Sequence, residues 1–581
     1  MSIDIETYRL KAQEAIEYVF VKEYHNSLGI PMPIVKMLLP DDANYSTGQY
    51  YITIDKTWQI HLNFGKLPIS YHEFQNEVKV LTRHEIEHYM CCPFDVITHF
   101  RMLKRIRDVY YKHFSHLGIN IKYACGAISN QAADIIVDTK NYYRHSKETL
   151  KSEIDWIKIG ANISACPRHC KLMFLTKEAI WKEDLGINET DPEFLKIVHQ
   201  LADSFTKNGI EDKSSFLDKV EEYAEIFFKL YVEDQKNPQQ SSQQGSQQQS
   251  GQQGSQQQSG QQGPQQQSGQ QGSQQQSGQW GVGRPKDGDE HGNAFVFADP
   301  DKVKEAIEVL AEETSVEEFI DLLAIAGIIG MSDKQKGVLW FNVQSANIIP
   351  IVEFSNTGNK SSYTYPSVWR IGDPIEELDL MLTYMTSPRL IPGMTTKKWE
   401  YVSNDDNGTE SKQMDLLLVV DTSGSMGSAM KESANMHQAV LASYGILSYF
   451  ESTKSKVAFI GFSDKIDAYV DWSDKYDDVR ERLLTNGHGG TKFPISRIKS
   501  TLDVRSRDLV TVLITDGDLG NINESVSYFR DYLNDDNKLY IFLLGGSKSL
   551  HSYEPLKNIG AKIYNANNAN EFCDMVLTDM E

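Results

Sequence analysis

From about His72 to Met90, the apolar positions Val78, Leu81 and Ile86 recur at helical spacing among charged residues, which predicts a helix with one inward face. Before it, Tyr50 to Ile54 and Trp58 to Phe64 read as two strands flanking Asp55-Lys56-Thr57, a hairpin in a stretch otherwise patterned for helices. Asn130 to Asp138 predicts a further helix, with Asn130, Asp134 and Asp138 on one stripe at four-residue spacing. Further on, Asp301 to Met331 carries a helical hairpin signal, with a buried helix over the apolar run Leu322 to Met331, and Val338 to Val343 is strand-like. After Gln413 the pattern changes to alternating strand and helix. Its strands are Leu416 to Val420, Lys456 to Phe462, Leu509 to Thr515, Lys538 to Leu544 and Ala561 to Tyr564, which is the pattern of a doubly wound α/β domain.

One stretch breaks both periodicities. Between Gln239 and Gln279 a nine-residue unit, Gln-Gln-Gly-Ser-Gln-Gln-Gln-Ser-Gly, occurs four times with one Ser replaced by Pro264. It holds no apolar side chain to bury, and its glycines disfavour a continuous helix, so it reads as a disordered linker. As a flexible coil it would span on the order of 35 Å. The expected organisation is therefore 1–236, a mainly helical domain; 237–283, the linker; 284–412, a mixed helical and β connecting region; and 413–581, the α/β domain.

Composition narrows the class. The 581 residues carry a net charge of −22, and such an acidic balance disfavours binding to phosphate backbones, so nucleic acid is not expected as a partner. The start, Met1-Ser2-Ile3-Asp4-Ile5-Glu6, lacks a basic region followed by an apolar core, and the longest apolar run is about half of the ~20 residues a membrane helix needs. A cytoplasmic protein without a membrane partner is expected, with its six cysteines reduced.

Candidate chemistry lies in two places. His84-Glu85-Ile86-Glu87-His88 is an HExxH motif: two imidazoles one helical turn apart for zinc (Zn2+), with Glu85 as the base that takes a proton from the attacking water. Zinc needs a third protein ligand. The longer HExxHxxGxxH pattern would place it at 94, with Gly at 91, but this chain has Cys91 and Phe94. Asp134 is the candidate, with Asp138 as the alternative ligand or as the group that holds a ligating histidine from outside. Cys166-Pro167-Arg168-His169-Cys170 packs three possible ligands into five residues, but not at a standard knuckle spacing.

The hairpin, Leu81-Thr82-Arg83-His84-Glu85-Ile86-Glu87-His88 and the Ala-Ala-Asp helix together resemble the predicted metal-dependent peptidases of gluzincin-like type that carry a C-terminal von Willebrand factor A (VWA) domain. The resemblance implies a zincin-like fold, zinc on His84, His88 and a downstream acid, and Glu85 as general base. It also implies a substrate laid by β-augmentation along Trp58 to Phe64 as an edge strand. Tyr142, Tyr143 and His145 are positional candidates for steadying the oxyanion.

The second place is the carboxyl end of the strand Leu416 to Val420, where α/β sheets put their sites. Asp421-Thr422-Ser423-Gly424-Ser425 offers hard oxygen ligands, Gly489-Gly490-Thr491 adds a hydroxyl, and Ile514-Thr515-Asp516-Gly517 ends a later strand with a carboxylate. Asp421, Ser423, Ser425, Thr491 and Asp516 resemble the metal-ion-dependent adhesion site of Rossmann-like VWA domains, over about residues 413–581. That resemblance implies a magnesium ion (Mg2+) with one position left for an acidic side chain of a protein partner or client.

Two functions follow as expectations. One is a zinc peptidase fed by its VWA domain. The other is a non-catalytic adaptor for a MoxR-type AAA+ ATPase, the partner that the VWA resemblance implies, in a chaperone or chelatase-like complex. The ATPase would be a separate chain, because no GxxxxGK[ST] loop occurs here.

Overall fold

The structure, a computed structural model, describes residues 5–236, 300–348, 363–369, 397–402 and 414–566, with short interruptions inside these ranges. The repeat-bearing stretch 237–283 lies outside the described residues, as does most of 349–413. The chain divides into two compact units, Met1–Thr314 with Glu318–Gly330, and Ser315–Glu317 with Met331–Glu581.

The first unit is mainly helical. It opens with α1 (Ile5–Glu17) and a π-helical turn (Tyr18–Glu23), then a three-stranded sheet of β1 (Ile34–Leu38), β2 (Tyr50–Ile54) and β3 (Gln59–Phe64). The hairpin strands pair antiparallel, Tyr50 opposite Phe64, but β3 also pairs parallel with β1, Ile34 opposite Gln59. The order β1-β3-β2 makes β3 the central strand. The expected edge strand Trp58 to Phe64 is therefore corrected: both of its hydrogen-bonding sides are taken, because β1, which the sequence pattern did not reveal, covers one of them.

The next element, α2 (Tyr71–Met90), starts where Ser70 caps it: the Ser70 hydroxyl accepts from the Glu73 N–H and the Glu73 carboxylate accepts from the Ser70 N–H, each at 3.3 Å. Its apolar side, Phe74, Val78 and Ile86, packs with Ala12 and Ile16 of α1, with Val19 of the π-helical turn and with Ile60 of β3. After α3 (Val96–Val109) comes α4 (Ile121–Ile159), a 39-residue helix that departs from helical geometry at His145. It touches α2, α3, α5 (Arg168–Trp181) and, past α6 (Pro192–Thr206), α7 (Phe216–Lys236). The middle of α4 is covered on all sides in this way, so Ala132 through Asn141 is buried and Asp134 and Asp138 are not on a solvated face.

The helical hairpin expected after residue 300 is present as α8 (Pro300–Glu313) and α9 (Val316–Ile325). The apolar run is not one helix to Met331: α9 stops at Ile325, and Gly327 takes φ of +75°, a left-handed backbone that an ordinary side chain resists. Val338 to Val343 is likewise corrected from strand to the interior of α10 (Asp333–Ile348). There Trp340 and Phe341 bury against His437, so tertiary packing overrides their local strand preference.

Beyond a two-stranded sheet of β4 (Tyr363–Val368) and β5 (Lys397–Val402), the second unit builds a six-stranded sheet. Its elements are β6 (Asp415–Asp421), α11 (Asn435–Ser452), β7 (Val457–Phe462), β8 (Ile466–Ser473), α12 (Tyr476–Leu483), α13 (Ile495–Leu502), β9 (Leu509–Thr515), α14 (Val526–Asn534), β10 (Lys538–Leu544), α15 (Leu550–Lys557) and β11 (Lys562–Ala566). The order is β11-β10-β9-β6-β7-β8, with every pairing parallel except β7 with β8. The expected Rossmann-like α/β fold is present, and β8, absent from the sequence reading, makes its sheet mixed. Leu416 to Val420 are all fully buried because a central parallel strand is covered on both faces, which is why they run apolar without alternation.

Candidate metal centre

Residues His84 and His88 sit one turn apart on α2, and α4 crosses beside them with Asp134. Nε2 of His84 and Nε2 of His88 are 3.1 Å apart, and Asp134 Oδ1 lies 3.5 Å from the first and 3.3 Å from the second. For zinc bonds of ~2.0–2.1 Å at tetrahedral angles, neighbouring ligand atoms stand about 3.3 Å apart, so this triangle fits one face of such a site. Among the described residues it is the one group of three such side chains gathered closely enough to hold an ion.

Each corner is held from outside. The His88 Nδ1–H points to the Cys92 carbonyl oxygen at 2.8 Å, made possible by the chain turning sharply after Met90. His84 Nδ1 lies 2.6 Å from Asp138 Oδ1, and Asn130 Nδ2 donates to Asp134 Oδ2 at 3.0 Å. Asp138 thus meets a histidine of the triangle from outside, while Asp134 supplies the third corner. Burial disfavours a proton on His84, yet Asp138, Asp134 and Glu85 together raise its pKa to about 9. Burial also opposes ionisation of Asp138, but Lys177 and His84 hold its carboxyl well below the usual range.

Glu85 is 5% exposed, and its Oε2 has no hydrogen-bond partner among the described residues. Glu87, the other acid of the motif, faces away into an ion cluster with Lys140 Nζ at 2.7 Å, Arg144 Nη1 at 3.0 Å and the Tyr24 hydroxyl at 3.0 Å. The three oxyanion candidates are not brought to the triangle. Tyr142 donates to Glu183 at 2.9 Å and stacks on Trp181, and Tyr143 is exposed on the opposite face of α4 from Asp134. His145, eleven residues past Asp134, is about 16 Å further along the helix. Cys166, His169 and Cys170 do not form a metal-ligand group; His169 instead meets Asp234 at 2.8 Å.

In the second unit β6 and β9 lie side by side and end together, at the point where the strand order turns back. Asp421 is fully buried, with Oδ2 accepting from Thr515 Oγ1 at 2.6 Å and Oδ1 from the Ser423 N–H at 2.9 Å. Burial raises the Asp421 pKa against those hydrogen bonds. Ser423 Oγ and Ser425 Oγ are 3.1 Å apart, and Ser425 Oγ donates to Asp516 Oδ1 at 3.0 Å. Neighbouring oxygens around octahedral magnesium, at ~2.1 Å bonds, stand about 3.0 Å apart, the spacing found between the Ser423 and Ser425 hydroxyls and between Ser425 and Asp516 Oδ1. The Thr491 loop runs alongside: the Gly424 N–H donates to the Gly489 carbonyl at 3.3 Å, and Gly489, at φ +111°, faces Asp464 where a Cβ would collide. Asn435, unmarked in the sequence, donates to Asp516 Oδ2 at 3.0 Å.

Fold and side chains thus define a two-unit protein: a helical unit with a buried His84-His88-Asp134 group, and a unit with a mixed, mostly parallel α/β sheet. No known protein-family model matches the chain, and no curated protein matches it. Among solved structures, the conserved hypothetical protein BatB of Bacteroides thetaiotaomicron is 13% identical, with 29% of this chain and 98% of that chain covered, at a TM-score of 0.25. An uncharacterised membrane-spanning protein of Vibrio fischeri is 18% identical, with 28% and 96% covered, at a TM-score of 0.13. Scores this low carry no functional weight. No helix among the described residues is long and apolar enough to cross a membrane.

Proposed function

We propose that this chain is a zinc-dependent peptidase joined to a magnesium-dependent VWA domain that recruits a protein partner or client. The ligand triangle of His84, His88 and Asp134, each corner braced from outside, carries the proposal, and Glu85 beside it is the reason to favour hydrolysis over a structural ion. His84, His88 and Asp134 would hold the zinc; Asp138 and the Cys92 carbonyl keep both imidazoles oriented with Nε2 toward it. Bound zinc supplies Lewis acidity toward a scissile carbonyl and its attacking water. Glu85 takes the proton from that water and returns it to the departing amine. An extended substrate would add to β1 or β2, since β3 is already paired on both sides. In the second unit Asp421, Ser423, Ser425 and Asp516, with Thr491, would hold magnesium and leave it open to an acidic side chain of the partner. A linker between the two activities would raise a client's local concentration at the zinc site. A separate MoxR-type ATPase is the partner class we propose.

Metal analysis of the full chain beside His84→Ala and Asp134→Ala, with peptide-cleavage assays of wild type and Glu85→Gln, tests this. About one zinc per chain, lost in the first two variants, and cleavage abolished in Glu85→Gln with zinc retained, is the expected result. Zinc unaffected by those substitutions would overturn the metal centre. Zinc bound as expected, with no cleavage in wild type across peptide libraries, would leave the adaptor function instead.

A further inference from the structure

Lys177 on α5 is 2% exposed, an unusual place for an ammonium group. Such burial is strongly unfavourable unless the charge is paired and hydrogen-bonded, and α4 provides the pairing: Asp138 Oδ2 at 2.6 Å and Glu153 Oε1 at 2.8 Å. The other oxygen of Asp138 is the one that meets His84 Nδ1 at 2.6 Å. Glu153, Lys177, Asp138 and His84 therefore form a continuous chain of hydrogen bonds that ends on a metal ligand.

A salt bridge that merely tied α5 to α4 would need one carboxylate oxygen and no particular orientation. Here Asp138 is gripped at both oxygens by groups on two different helices, which fixes the plane of its carboxylate. The plane sets where the His84 Nδ1–H must point, and hence where Nε2 faces. Lys177 also offsets a crowd of negative charge, since Asp134 lies one turn from Asp138 on α4 and Glu85 follows His84 on α2. Without the ammonium, Asp138 would be a second uncompensated carboxylate beside a ligating one.

We propose that Lys177 is a positioning residue of the metal centre, acting through Asp138 to hold His84 in the orientation that zinc binding requires. This rests on the metal-centre reading above.

Zinc affinity of the full chain, measured by competition with a chromogenic chelator, tests it in wild type, Lys177→Met, Lys177→Arg, Asp138→Asn and the double variant Lys177→Met/Asp138→Asn, with His84→Ala as control. Lys177→Met should weaken zinc 10- to 100-fold, and Lys177→Arg should recover most of that loss. The double variant should bind no more weakly than Asp138→Asn alone, because Lys177 acts through that carboxylate. The cobalt(II) absorption spectrum of Lys177→Met should change with its secondary structure intact, which a helix tie would not produce. Wild-type zinc affinity in Lys177→Met, or losses that multiply in the double variant, would overturn the proposal while leaving the metal centre in place. Zinc binding unaltered in His84→Ala would overturn both.

Discussion

Asn130 Nδ2 donates to Asp134 Oδ2 at 3.0 Å across one turn of α4, and this leaves Oδ1 of the same carboxylate 3.3 Å from His88 Nε2. The amide thereby decides which oxygen faces the histidines. Asn130→Ala should lower zinc affinity about tenfold with little change in fold, measured by chelator competition. Unchanged affinity would mean that packing alone orients Asp134.

Glu87 lies inside the metal motif but serves the fold. It is fully buried among Lys140, Arg144 and the Tyr24 hydroxyl, and removing it strands the 6%-exposed Lys140 with only the more distant Glu211. Glu87→Ala should destabilise the helical unit by about 3 kcal/mol in urea denaturation, and Glu87→Ala/Lys140→Met should recover most of it. A double variant as unstable as the single one would show that the volume of Glu87, not its charge, matters.

His99 on α3 gives an acid limb to stability. Burial, with the charge of His88 added, lowers its pKa from 6.5 to about 4. The unfolded chain therefore binds a proton at a higher pH than the folded chain does. The stabilisation is fully present above pH ~6.5 and is lost as pH falls toward ~4, on the order of 3 kcal/mol in all. Urea denaturation of wild type and His99→Phe at pH 7.5, 5.5 and 4.5 should show the variant gaining on wild type by up to that amount as pH falls. A constant difference would contradict the buried neutral imidazole.

The carboxy-terminal site should respond to magnesium. At a concentration about a hundredfold above its Kd, the ion should stabilise the α/β unit by about 2.7 kcal/mol, seen as a higher melting temperature. Asp421→Ala and Asp516→Ala should abolish that shift, since Asp421 anchors Ser423 and Thr515, and Asp516 meets Ser425. An equal shift in all three proteins would place the magnesium effect elsewhere.

Local periodicity explains what could be read in advance. The helix over His84 and His88 is bounded by a capping box, and the strands Leu509–Thr515 and Lys538–Leu544 are continuous apolar runs, so each carries its own signal. The strands β1 and β8 carry weaker local signals: β1 is only five residues long, and β8 is an edge strand whose apolar residues are interrupted by Asp467 and Asp471 and mostly left half-exposed. Val338 to Val343 misled because aromatic and β-branched residues favour strands locally, while their burial against α11 is a long-range fact.

By itself, the sequence determined the chemistry available: two imidazoles and a carboxylate on one helix, an acidic stripe on another, and hydroxyls and carboxylates at strand ends, because 3.6-residue and two-residue periods place side chains within one element. Tertiary structure alone decided how those elements meet. It brought Asp134 Oδ1 to the histidines, turned Asp138 onto His84, set Lys177 behind it and paired β3 on both sides, because such contacts join residues roughly 20 to 90 positions apart through helix packing and strand pairing that no local pattern encodes.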